Sequence, residues 1–111
     1  MKLLTKEIRD KLPKIGETDG QGRDAVVVVK FFDPCGSWTW FATEGEPVLN
    51  DAGEEIDFTF FGLVDGFEAE LGYWSLAELS SVKNRFGLGI ERDMYFDPKP
   101  LSDIYAQIER R

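Results

Sequence analysis

Carboxylates are the main chemical resource of this sequence. Twenty-one Asp and Glu stand against thirteen Lys and Arg, and there is no histidine. The lack of histidine removes Ser-His and Cys-His nucleophilic sites and every His-ligated metal site. The one cysteine, Cys35, follows Asp33-Pro34 in turn-forming sequence with no basic neighbour to activate its thiolate. It reads as structural. Gly16, Gly20 and Gly22 lack the strand-turn-helix setting and the Lys-Ser/Thr end of a phosphate-binding loop, and Gly87-Leu88-Gly89 precedes a strand. A nucleotide cradle is therefore not expected.

What remains is acid–base or hard-cation chemistry. Glu68 and Glu70 stand two apart, on one face of an expected strand, and Glu91 and Asp93 repeat the spacing later. If those strands are neighbours, four carboxylates converge on a cation such as Mg²⁺ or Ca²⁺. Separately, Glu70 beside Phe61 is a candidate acid or base. Without that convergence no cofactor is expected. Alternating glutamates on a hairpin are also what a solvated face looks like, and that is the preferred reading.

The charge is unevenly placed. From Phe31 to Val82 there is no Lys or Arg, while eleven Asp and Glu fall in the same stretch, within a chain of formal charge −8. This argues against nucleic-acid binding through the centre of the chain. It fits a surface that meets a basic protein partner, with Glu44, Glu46, Glu54 and Glu55 as contacts. Solubility alone is the competing explanation. Trp38, Trp40 and Trp74 are candidate partner anchors, since Trp is enriched at interface hot spots, although Trp38 and Trp40 suit the core better and Trp74 a hydrophobic staple.

The elements that must position these groups centre on Asp57–Leu79, DFTFFGLVDGFEAELGYWSLAEL. Asp65-Gly66 is a two-residue hairpin signal, because a type I′ turn needs positive φ at both central positions. That register sets Val64 against Phe67, Phe61 against Glu70, Phe60 against Leu71 and Phe58 against Tyr73. One face is then wholly apolar, with Glu68 and Glu70 on the reverse. Ser75-Leu76-Ala77-Glu78 follows as a capping box, with Trp74 and Leu79 at the two positions of a hydrophobic staple.

Elsewhere, Thr5 caps a short helix that ends before Pro13. Ala25–Phe32 (AVVVVKFF) and Ser37–Thr43 (SWTWFAT) form a hairpin across Asp33–Gly36, with Val27, Val29 and Phe31 facing Ala42, Trp40 and Trp38. Glu44–Ile56 reads as a mobile loop or a loose edge hairpin around Asn50–Gly53. Ile90–Phe96 is a further strand, with Ile90, Met94 and Phe96 on one side; Arg92 shares that side and must lie at an edge or find a carboxylate. Asp97–Pro100 is an extended linker. Ser102 caps a last helix with an apolar stripe of Ile104, Tyr105 and Ile108.

Strands in runs with helices at the ends predict a single α+β domain. It has an antiparallel sheet of four to five strands, with two to three helices covering one face. Nine Phe, three Trp and three Tyr supply a core. No apolar run spans a bilayer, the first twelve residues lack a signal-peptide core, and the single cysteine suits a reducing cytoplasm.

The segments DFTFFGLVDGFEAELGYWSLAEL, GLGIERDMYFDPKPLSDI and SWTWFATEG, with the opening MKLLTKEIRDKLPKIGETDG, resemble the bacterial domain-of-unknown-function family 2958. Tyr73-Trp74 varies that family's usual tyrosine-phenylalanine. The resemblance implies a setting among plasmid, phage and integrative-element genes, and it carries no agreed catalytic residues. Two main function classes follow, beside a third option of a purely structural subunit that pairs through an edge strand. One is a non-enzymatic binding or regulatory module of mobile genetic elements, contacting a basic protein surface, with anti-defence action and DNA mimicry as sharper versions. The alternative is a carboxylate-dependent, Mg- or Ca-assisted enzyme using Glu68, Glu70, Glu91 and Asp93.

Overall fold

The computed structural model describes residues 2–111. Helix α1 (Lys6–Lys11) begins where Thr5 Oγ1 accepts the Ile8 N–H at 3.3 Å, and it stops before Pro13. Then come β1 (Val26–Val27), β2 (Val29–Phe32), β3 (Thr39–Leu49), β4 (Glu55–Asp65) and β5 (Ala69–Ser75). Helix α2 (Leu76–Ser81), β6 (Glu91–Arg92), β7 (Lys99–Pro100) and α3 (Leu101–Glu109) complete the chain. Five strands form one antiparallel sheet in the order β5-β4-β3-β2-β6, and β1 pairs separately with β7. This is the expected α+β architecture. No helix among the described residues is long and apolar enough to cross a membrane.

The sheet has two apolar faces. On one, Leu4, Leu12 and Leu79 from around α1 and α2 pack on Val29, Phe31, Trp40, Ala42, Phe58, Phe60 and Trp74. On the other, Leu101 and Ile104 of α3 join Val27, Phe41 and Leu63. Each fully buried Phe or Leu contributes about 1.5–3 kcal/mol.

The first hairpin keeps its faces but not its register. Val29 opposes Ala42 and Phe31 opposes Trp40, two residues from the expected pairing. A slip of two leaves Val29, Phe31, Trp40 and Ala42 together on one face, because the strand repeat is two, whereas Val27 joins the opposite cluster. Val27 leaves this sheet and pairs with Lys99, so the Asp97–Pro100 linker ends in a strand.

The second hairpin corrects the sequence reading. Asp65 stays in the strand opposite Ala69, and the loop is the three residues Gly66-Phe67-Glu68. Phe60 opposes Trp74, Gly62 opposes Gly72 and Val64 opposes Glu70. The shift from the expected pairing is three, an odd number, so β5 presents its other side. Phe60 and Leu71 lie on opposite faces; Leu71 sits beside Leu63, and Tyr73 beside Phe61. The reason is the staple: Trp74 and Leu79 are both buried, and Trp74 stacks on Phe60 at 5.6 Å. Once Trp74 points inward, Gly72 and Glu70 must share its face. Ser75 Oγ accepts the Glu78 N–H at 3.0 Å, as the capping box requires.

The segment 44–56 is not a mobile loop. It continues β3, turns at 50–54 and enters β4, so the hairpin alternative holds, but at the centre of the sheet. The register breaks between Ala42 and Glu44, leaving Thr43 as an extra residue on β3. The bulge turns Glu44 to the Phe61 side, away from Trp40 and Ala42. Gly62 answers the bulge, since a Cβ there would lie 1.9 Å from the Phe41 carbonyl oxygen.

Two further expectations change. Only Glu91–Arg92 of 90–96 pairs as strand, because Asp93 Oδ1 accepts the Tyr95 N–H at 2.9 Å and turns the chain, leaving Met94 exposed. Arg92 lies at the edge and donates to the Lys2 carbonyl at 2.7 Å. Ser102 is not a cap: α3 starts at Leu101, directly after Pro100, whose fixed φ sets the helix entry.

Candidate functional site

Two connections and an edge strand meet at one corner of the sheet. The loop before β3 delivers Trp38, the β4–β5 turn delivers Phe67 and Glu68, and β5 delivers Glu70, with Val64 as the floor. Together they line an open cavity of about 320 Å³. The Trp38 and Phe67 rings stand 5.3 Å apart at 83°, an edge-to-face pair, and Trp40 backs Trp38 at 6.1 Å. Phe67 is 95% exposed, so its ring is held out at the turn and does not pack in the core. Trp38 lies directly on Gly66, where a Cβ would come within 2.5 Å of the indole. The Glu68 and Glu70 carboxylates have no ion-pair or hydrogen-bond partner among the described residues.

Two aromatic rings at right angles with two unpaired carboxylates suit a cation. A ring face attracts an ammonium or guanidinium by about 0.5–2 kcal/mol, the larger value when water is excluded. The carboxylates add Coulomb attraction and charge-assisted hydrogen bonds. The corner therefore suits a lysine or arginine side chain.

The four carboxylates proposed for a cation do not meet. Glu68 and Glu70 belong to the β5 edge, whereas Glu91 is on β6, at the opposite edge of the five strands. Asp93, just beyond β6, is spent on Lys30, 3.5 Å away, and on the turn to Tyr95. Among the described residues no group of three or more Asp, Glu, Cys or His is placed to hold a metal ion.

The expected partner-contact glutamates divide. Glu44 is 2% exposed, and its Oε1 accepts the Gly16 N–H at 2.8 Å. Its Oε2 accepts the Thr18 N–H at 2.9 Å and the Thr18 hydroxyl. Burial alone raises its pKa, but the Thr18 hydroxyl and the two N–H groups outweigh that, and the carboxyl titrates below its ordinary range. Glu46 accepts the Ile15 N–H at 3.0 Å. These two therefore pin the 15–18 loop to the sheet instead of facing a partner. Glu55 accepts from both terminal Arg9 nitrogens, from Nη1 at 2.7 Å, and that hydrogen-bonded ion pair lowers its pKa. Glu54 stays exposed at the β3–β4 turn, accepting from Asn50 Nδ2 at 3.3 Å. Trp74 is buried and is not a surface anchor.

Sequence reasoning preferred an apolar core face for Trp38, while naming it as a possible anchor, and placed Phe67 in such a face outright, so the meeting of the two rings at this corner was missed. The signal that was present is the glycine beside an aromatic at a turn tip, since Gly66 makes room for a ring as well as for a turn.

Comparison with curated proteins and with solved structures finds no match to either. A family model described as "Protein of unknown function (DUF2958)" matches residues 3–111, which takes in the hairpins, the aromatic corner and all three helices, and the chain therefore belongs to the DUF2958 family.

Proposed function

We propose that this protein is a non-enzymatic binding module that grips a basic segment of another protein. One observation carries the reading: Trp38 and Phe67 stand beside two carboxylates, Glu68 and Glu70, that have no cation of their own among the described residues. The absence of Lys and Arg from Phe31 to Val82 supports it, because no nearby cation in sequence competes for the corner. The family resemblance suggests a regulatory role among mobile genetic elements, and the single cysteine suits a cytoplasmic setting. The separation of Glu70 from Glu91 across the sheet weighs against the four-carboxylate enzyme.

Titration calorimetry with a lysine-rich peptide tests this. Wild-type protein should bind, with affinity falling as salt rises, and Glu68→Gln/Glu70→Gln should lose at least about tenfold. Equal binding by the double variant would overturn the assignment.

A further inference from the structure

We infer that the basic segment binds as an added strand along β5, with a cationic side chain in the Trp38–Phe67 corner. This rests on the binding-module reading and adds the conformation and residue pattern of the partner. The observation behind it is independent of the corner. β5 is an outer strand of seven residues, paired only with β4, with no register break along its length. Its sequence, AELGYWS, contains no lysine and no proline, and its one charge, Glu70, shares the Trp74 face but is exposed at the open aromatic corner. The opposite edge, β6, is only two residues long. No backbone group of 69–75 bonds to a loop or helix outside its own sheet among the described residues. Its outward N–H and C=O groups are therefore available to another chain, the mode by which extended peptides extend a sheet.

The two faces of β5 specify what such a strand would carry. Leu71 and Tyr73 are 52% and 66% exposed on the face away from Trp74, with the Phe61 ring 4.8 Å from Tyr73. They call for apolar partners at alternate positions. On the other face Glu70 leads into the aromatic corner and calls for a cation, while a Cβ on Gly72 would meet nothing within 4 Å, leaving room for a long side chain. The partner is an extended segment with apolar and basic residues alternating. A second copy of this chain is the less suitable occupant: it brings another formal charge of −8 to an edge already bearing Glu68 and Glu70.

The probe is a heptapeptide of alternating lysine and valine, compared with the same composition in blocked order and with an alternating version N-methylated on one backbone edge. The alternating peptide should bind at least about tenfold more tightly than either control, since N-methylation removes the donors a sheet requires. Leu71→Glu, a change at a half-exposed position, should weaken it about as much. Binding of all three peptides with equal affinity, still abolished by Glu68→Gln/Glu70→Gln, would overturn strand addition and leave the corner standing. Failure of every peptide would overturn both. A dimer by light scattering, broken by Leu71→Glu, would show that a second copy takes the edge and would overturn the proposed partner.

Discussion

The indole of Trp38 rests on the backbone of Gly66, with room for no Cβ between them. This contact joins the loop before β3 to the β4–β5 turn and sets one wall of the aromatic corner. It also gives Gly66 a purpose apart from positive φ, which this residue does not adopt.

Gly66→Ala should therefore destabilise the fold by about 1–3 kcal/mol, the usual cost of overpacking. In a Trp38→Ala background the same change should cost within about 0.5 kcal/mol, because the obstructing ring is gone. Urea denaturation of the four proteins measures the coupling. An undiminished cost in that background would point to backbone strain at Gly66 and away from the ring.

The register of the second hairpin separates two neighbouring side chains. Trp74→Ala should cost about 3–5 kcal/mol, since it empties the stack on Phe60. Leu71→Ala, on the half-exposed face, should stay within about 1 kcal/mol. Thermal and urea unfolding check both, and the reverse order would restore the two-residue turn.

That hairpin also shows what was legible in the sequence. The strand cores of the two hairpins, the Thr5 and Ser75 caps and the antiparallel α+β class followed from local patterning, whereas the outer halves of β3 and β4 and the short β7 did not. The β5 face did not, because two signals conflicted. Asp65-Gly66 favoured a tight turn that put Tyr73 inward, while the Trp74–Leu79 staple required the adjacent residue inward. The staple prevailed because it buries an indole and fixes a helix entry together. The aromatic corner was hidden for the same reason, since the mistaken register placed Phe67 within an apolar row. Glu44 looked like one of many surface acids, because its partners lie 26 to 28 residues away and nothing local announces a bulge at Thr43.

Glu44 should give stability a pH dependence of definite sign. Unfolded, it titrates at its ordinary 4.5; folded, it titrates lower. Between those values the unfolded chain binds more protons, so stability rises with pH. The contribution is fully present above 4.5 and is lost as pH falls through the lower folded value. Glu44→Gln should cost about 1–3 kcal/mol at neutral pH, and the gap to wild type should narrow in acid. Urea midpoints across that range measure it, and a constant gap would assign the loss to something other than the carboxylate charge.

Gly62 has the least freedom of any glycine in the sheet. Gly62→Ala forces a methyl onto the Phe41 carbonyl and should cost at least about 2–3 kcal/mol by denaturant titration. A neutral substitution would mean that the Thr43 bulge relaxes easily.

The most direct test of the cation-binding corner is two-dimensional NMR of ¹⁵N-labelled protein titrated with the lysine–valine peptide. The Trp38 indole N–H and the amides of Phe67, Glu68 and Glu70 should shift together along one saturating curve, with the Glu44 and Glu91 amides unmoved. Saturable shifts centred on Glu91 and Asp93, or spread evenly over every exposed carboxylate, would contradict a corner built from Trp38, Phe67, Glu68 and Glu70.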